Sequence, residues 1–291
     1  MRRLFWVISA LAACFFAADV ARAAELQAPQ SAVAGNAASI ATSGSGDATM
    51  YLIGPGGAAK RTVKLGQALE LKAEELRAAG RYTVLLSTGE KADFFVAPAK
   101  PKQIAFLARP SRVPVAKPGV ITGVAFVFDD FKNLVLEAVP VKFDLSVQGT
   151  NASETVGSKL GIAWTKMNSA SKEGAAQFVA SAGDVKVNRV VQQTAGEPCN
   201  LHMKIVPANA GEKDTHGIVV ETDPIRDCSG NAVPDGTIVT FSLVDAKGRT
   251  TVDSRIKKGV ARANLPASPG GMVSVAAGVV SGNELHVGGG Q

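Results

Sequence analysis

The chain has 291 residues, of which 46% are hydrophobic but only 5% aromatic, with 30 glycines and a formal charge of +6. That length holds about two or three hydrophobic cores. Plentiful glycine, alanine and valine with few aromatics suit sandwiches of short strands and tight turns, and argue against an enzyme built on large helices.

Met1-Arg2-Arg3, the apolar run 4–18 and the small-residue stretch Ala21-Arg22-Ala23-Ala24 have the three parts of a secretory signal peptide, residues 1–23, cleaved at Ala23 and Ala24. The apolar run is about fifteen residues long, short of the roughly twenty needed to span a bilayer. Leu11-Ala12-Ala13-Cys14 resembles the lipobox of bacterial lipoproteins, in which the cysteine is acylated, although Phe15 and Phe16 prolong the apolar run where a lipoprotein turns polar. The expectation is export through the Sec pathway to the periplasm or cell surface, with an outer-membrane lipoprotein as the alternative if Cys14 is acylated. Removal of 1–23 takes Arg2, Arg3, Arg22 and Asp19, which lowers the formal charge by a net two to +4.

Residues 24–99 read as a first small β domain. The turns Gly44-Ser45-Gly46-Asp47 and Gly54-Pro55-Gly56-Gly57 bracket a strand at 48–53. Leucines at 69, 71 and 76 give 69–79 a helical look, but the segment runs into Gly80-Arg81-Tyr82-Thr83-Val84. A helical turn, then a tyrosine two residues before an inward position, here Val84, resembles the tyrosine corner of immunoglobulin-like domains. It implies a bond from the Tyr82 hydroxyl to the backbone. A last strand at 92–96 is stopped by Pro98, and Ala99-Lys100-Pro101-Lys102 is a short stiff linker.

Beyond the linker one unit occurs twice. The stretch DCSGNAVPDGTIVTF at 227–241 sets an Asp-Cys-Ser-Gly-Asn turn before a strand with apolar side chains at 239, 241 and 243. A weaker copy runs from Asp129-Asp130-Phe131-Lys132-Asn133 into Val141-Lys142-Phe143. The copies also align 120–128 with 218–225, 161–165 with 259–263 and 176–183 with 272–278, and they open on strands at 103–108 and 200–206. A period near a hundred residues is one sandwich per repeat, too long for a solenoid. The expected domains are therefore 24–99, 100–196 and 197–291, the last boundary falling around 194–198.

These motifs, with the glycine-led strand at 259–265 and the run 271–277, resemble the bacterial immunoglobulin-like (Big) domains repeated in invasin and intimin-type surface proteins. The resemblance covers the third domain well, the second moderately and the first only in outline. It implies an all-β chain of three tandem immunoglobulin-like β-sandwich domains after a signal peptide. It further implies a non-enzymatic structural or protein-interaction module, adhesin-like, of the cell envelope. The chain departs from those adhesins in that neither an outer-membrane barrel nor a tip domain is expected within it.

In an oxidising compartment Cys199 and Cys228 most simply pair, since one precedes the first strand of the third domain and the other follows its second strand, at one pole of a sandwich. Two free thiols or a metal pair are the alternatives. The bridge would stabilise the domain by roughly 3 kcal/mol. Lys100, Lys102, Arg109, Arg112 and Lys117 have no acidic residue among them, which gives either an interaction patch or a solvated interdomain edge. No aromatics interleave with them to stack bases, so nucleic acid is not expected.

His202, His216 and His286 show no zinc spacing, and no metal or cofactor is expected. Asp129, Asp130, Asp227 and Asp235 suit calcium at domain junctions, or simply stabilise turns, the reading preferred here. Asp227 and Asp235 are also interaction candidates, as is the tail 282–291. No GxSxG elbow or phosphate loop occurs. Trp164 lies on an expected strand, in a core or edge role. If it stood exposed beside basic side chains it would favour a second reading, a carbohydrate- or lipopolysaccharide-binding accessory module. The expected partner is thus a protein or a cell-surface glycan, and a membrane only through Cys14.

Overall fold

The computed structural model describes residues 25–207 and 217–288. The signal peptide with Ala23 and Ala24, the Cys14 lipobox, His216 and the last three residues of the tail lie outside the described residues. Among the described residues the chain is all β apart from one 3-10 turn, Ala73–Leu76, and it forms two compact units, one up to Ala99 and one from Lys100.

In the first unit a three-stranded sheet (Leu26–Gln27, Ala38–Thr42, Leu69–Leu71) faces a five-stranded one, ordered Ala32–Val33, Lys91–Ala97, Gly80–Leu86, Asp47–Gly54, Gly57–Lys64. Alternate side chains of both sheets, Ile40, Met50, Leu52, Leu71, Val84, Leu86 and Val96 among them, close one core. The helical look of 69–79 resolves into two elements. Leu69 and Leu71 are inward residues of a strand, with period two, and Leu76 is the buried anchor of the 3-10 turn. That turn is fixed from both sides: Glu75 accepts from Lys72 N (2.7 Å) and from Arg61 (2.6 Å), and the Tyr82 hydroxyl donates to Ala78 O (3.0 Å). Tyr82 stacks on Phe94 at 5.6 Å, and burial pushes its phenol upward in pKa despite the Ala78 bond. Its ring lies directly over Gly54, where any β-carbon would come within 2.2 Å of it.

The second unit contains two cores. In the first, Gln103–Arg109, Ile121–Phe128 and Ile162–Met167 form one sheet, with Ile121–Phe128 in the middle. The facing sheet runs Arg112–Pro114, Val185–Thr194, Gly174–Ala182, Pro140–Val147, Thr150–Gly157. Phe106, Phe143 and Phe178 meet between them with ring centroids 5.1 to 6.2 Å apart. As in the first unit, a short strand joins the larger sheet in parallel, Arg112–Pro114 on Val185–Thr194.

The second core, around Met203, Ile225, Val239, Phe241 and Val275, lies between the sheet Met203–Val206, Gly217–Thr222, Arg262–Pro266 and the sheet Gly248–Arg255, Ile238–Asp245, Met272–Ala277, Val280–His286. Its opening strand is not the single run 200–206. Pro198–Asn200 pairs with Arg226–Asp227, and a separate strand Met203–Val206 pairs with Gly217–Thr222. The expected counterpart strand 218–225 accordingly ends at Thr222.

Much of the tail 282–291 is structural: Val280–His286 pairs with Met272–Ala277, and Asn283 clasps Met203 through both its N (2.7 Å) and its O (3.0 Å). Sequence reading missed the second strand of each main hairpin, Gly57–Lys64, Thr150–Gly157 and Gly248–Arg255. All three are edge strands with most side chains exposed, each packing only a half-buried valine (Val63, Val156 or Val252) against its core, too little for alternation to reveal.

Candidate functional site

The two repeated aspartate turns have the same construction. Asp129 accepts from Phe131 N (2.8 Å), Asn133 N (2.9 Å) and the Asn133 amide (2.8 Å). Asp227 accepts from Ser229 N (2.9 Å), Asn231 N (2.9 Å) and the Asn231 amide (3.0 Å). Both aspartates are buried. Each carboxylate thus serves chiefly to hold its own turn, as short polar side chains at turns do. Asp227 cannot be the surface contact suggested by sequence. Asp235 is exposed, but its carboxylate accepts from Lys258 N (2.9 Å) and Gly259 N (3.2 Å), which ties two loops together. Among the described residues no group of three or more His, Cys, Asp or Glu converges as metal ligands would.

Within the second unit the 227–231 turn also reaches across to the neighbouring sandwich. Asp227 Oδ2 accepts from Gly196 N (2.9 Å) in the connecting segment. The Asn231 amide donates to Ser171 O (2.8 Å), and its carbonyl accepts from Glu173 N (3.3 Å). Cys199 and Cys228 form a disulfide beside this contact, with Cα atoms 4.7 Å apart, and so tie the start of the third sandwich to the same turn. Burial pushes the Asp227 carboxyl up, but hydrogen bonds from the Asn231 side chain and from the N–H groups of Gly196, Asn231 and Ser229 outweigh it, and the pKa lies below the ordinary value. A shallow cleft at the junction is lined by Pro114, Lys117, Gly196, Pro198, Val233 and Pro234.

The basic stretch does not form one patch. All five cations are exposed, but Lys100 and Lys102 precede the strand Gln103–Arg109 while Arg109, Arg112 and Lys117 lie at or beyond its far end. At about 3.3 Å per residue that strand separates the groups by roughly 20 Å. His202 is exposed and pairs with Asp223 (3.0 Å), which Lys204 also contacts (3.0 Å); the lysine bond chiefly holds the Asp223 carboxyl below the usual range. His286 closes the last strand opposite Met272.

Trp164 takes the edge position: its strand Ile162–Met167 is the outer one of its sheet, and the indole points to water, 60% exposed. Register places Trp164 beside Val124 and Leu107, Ile162 beside Phe126 and Ala105, and Lys166 beside Thr122 and Arg109. One of the five expected cations thus stands on the same face as the tryptophan. Lys166, which sequence reading passed over, stands two residues from Trp164 on the same face of its strand, and strand pairing through Thr122 brings Arg109 to it.

No protein-family model and no curated protein matches the chain. Solved structures do. The Escherichia coli adhesin FdeC is 15% identical with a TM-score of 0.57, over 92% of this chain and 98% of that one. Yersinia pseudotuberculosis InvD is 12% identical with a TM-score of 0.57, over 93% and 99%. Invasin, described as a bacterial integrin-binding protein, is 12% identical with a TM-score of 0.51, over 89% of this chain but 57% of its own. At such identities the likeness is one of architecture: the chain shares the tandem immunoglobulin-like fold of bacterial adhesin and invasin domains.

Proposed function

We propose that this chain is an exported, non-enzymatic interaction module of the cell envelope, adhesin-like, built of three immunoglobulin-like domains (24–99, 100–196 and 197–291), of which the second and third present binding surfaces at fixed spacing. The observation that carries the reading is the 227–231 turn. It bonds at once to its own loop, to the connecting segment at Gly196 and to the Ser171–Glu173 backbone of the preceding sandwich, with a disulfide beside it. A chain whose work is to hold surfaces apart needs stiff joints, and three direct bonds, made by a turn that the Cys199–Cys228 disulfide braces within its own sandwich, supply one where a glycine-rich linker would leave a wide distribution.

Paired spin labels on the exposed strands Thr150–Gly157 and Gly248–Arg255 test this. The expected result is a single narrow distance distribution that broadens in Asn231→Ala. A distribution equally broad in the parent and the variant overturns it. Turnover of generic ester, peptide or glycoside substrates would overturn the non-enzymatic part, and a cytoplasmic location in cell fractionation would overturn export.

A further inference from the structure

We propose that the outward face of the sheet formed by Gln103–Arg109, Ile121–Phe128 and Ile162–Met167 docks a carboxylate-bearing polysaccharide, with sugar rings lying on Trp164 and carboxylates meeting Arg109 and Lys166. The proposal names a partner class for the envelope module proposed above and rests on that reading.

Alternation divides these three strands cleanly. Ile104, Phe106, Ala125, Val127, Ala163 and Met167 point inward and complete the core. The core is closed without the outward residues, yet those are also apolar in the middle: Trp164 (60% exposed), Leu107 (51%) and Ile162 (37%), with half-buried Val124 and Phe126 between them. Solvent-facing positions of a half-wet sheet ordinarily carry polar side chains, so a contiguous apolar floor flanked by an exposed indole on the edge strand departs from that pattern.

Charge selects the kind of ligand. The next cross-strand row is Lys166, Thr122 and Arg109, and none of the three strands contains an aspartate or glutamate. The carboxylate recorded against them, Glu154, accepts from Thr165, which is itself buried. Among the described residues neither Arg109 nor Lys166 has an ion-pair partner. Two unpaired cations and a hydroxyl beside an apolar floor match a ligand with a C–H face and regularly spaced anions.

Size selects it further. Strands about 4.8 Å apart, with like-facing residues about 6.6 Å apart along each, give a floor of roughly 10 by 15 Å. That is far below the about 800 Å² each partner contributes to a stable protein interface, but it suits a few sugar rings. A flat face cannot enclose a small molecule, so a polymer that repeats the contact fits best.

The sequence has two tryptophans, Trp6 and Trp164, so in a Trp6→Phe chain the emission reports this face alone. The probe is polygalacturonate. Expected are a saturable change in Trp164 emission and an affinity falling at least about tenfold between roughly 50 and 300 mM salt. By pull-down or calorimetry, binding should weaken at least about tenfold in Trp164→Ala and in Arg109→Glu/Lys166→Glu, with circular dichroism unchanged. Lys247→Glu, a charge reversal on another sandwich, should leave it alone. The proposal falls if polygalacturonate does not bind, if Trp164→Ala binds as tightly, or if neutral dextran binds equally well. It also falls if only lipopolysaccharide or phosphatidylglycerol vesicles shift the emission, which would make the face a lipid-associated surface. Because the spin-label measurement does not involve Trp164, a narrow distance distribution with no glycan binding would sink this site and leave the module reading standing.

Discussion

The turns at 129–133 and 227–231 are two solutions to one local problem. In each, an aspartate accepts from the N–H groups two and four residues on, its own N donates to the carbonyl four residues on (3.0 Å in both), and an asparagine side chain returns to the carboxylate. The isolated bridges Phe128 to Leu134 and Arg226 to Ala232 repeat the match. What differs is the filling. Asp130 stands where the later copy has Cys228, and Lys132 takes the left-handed position (φ 65°) that Gly230 holds at φ 83°. The comparison teaches that the aspartate and asparagine build the turn, while the residues between them decide what it is tied to.

Removing the aspartate attacks what the turns share, so its effect should be the largest. Asp129→Ala and Asp227→Ala each strand several N–H donors in a buried site, at about 1–3 kcal/mol per unsatisfied group before relaxation. Each should destabilise its own sandwich by about 4 kcal/mol in urea unfolding followed by a core-specific probe. If Asp227→Ala cost under about 1 kcal/mol, the shared-frame account would be wrong. The covalent tie tests what the turns do not share. Cys199→Ala/Cys228→Ala opens a loop with a sequence separation of 29 and should cost the third sandwich about 3 kcal/mol, leaving the second unmoved. Equal losses in both would show that the disulfide stabilises the junction as a whole.

Acid gives a smaller and graded readout. The folded Asp227 carboxyl titrates below its unfolded value of about 3.9. Its contribution is therefore fully present above that value and is lost as pH falls through the folded pKa. The urea midpoint of the third sandwich should drop as pH falls below about 4, and Asp227→Asn should flatten that drop. An unchanged slope in the variant would assign acid sensitivity to other carboxylates.

How much of this was legible depended on whether a residue's neighbours lay along the chain. Tyr82 and Val84, Val239 and Phe241, and the aspartate turns announce themselves because spacing and turn chemistry are local. The disulfide needed only the compartment and the pole of a sandwich. The junction bonds from Asn231 to Ser171 and Glu173 left no trace, since backbone groups of an irregular loop carry no sequence signal. The Trp164 face was half legible. The indole was noticed, but Arg109 was grouped with Lys100 and Lys102, its neighbours in sequence, when its true neighbours are Thr122 and Lys166, one and two strands away. Exposed polar strands such as Thr150–Gly157 escaped because hydrophobic alternation registers only a buried face.

The smallest expected effect isolates the residue between the shared ones. A non-glycine residue in the left-handed region costs about 1–2 kcal/mol relative to a right-handed one, and glycine avoids that cost while losing more chain entropy on folding. At Lys132 the two terms oppose, and the steric one is larger, so Lys132→Gly should stabilise the second sandwich by up to about 1 kcal/mol. The converse, Gly230→Ala, meets no neighbouring atom within 4 Å, so its expected cost of about 1 kcal/mol to the third sandwich is backbone strain alone. Opposite signs of similar size in the two copies are the required outcome. A Lys132→Gly variant less stable than the parent would mean that the lysine side chain contributes contacts worth more than the strain it carries, and that the two turns are held by different forces after all.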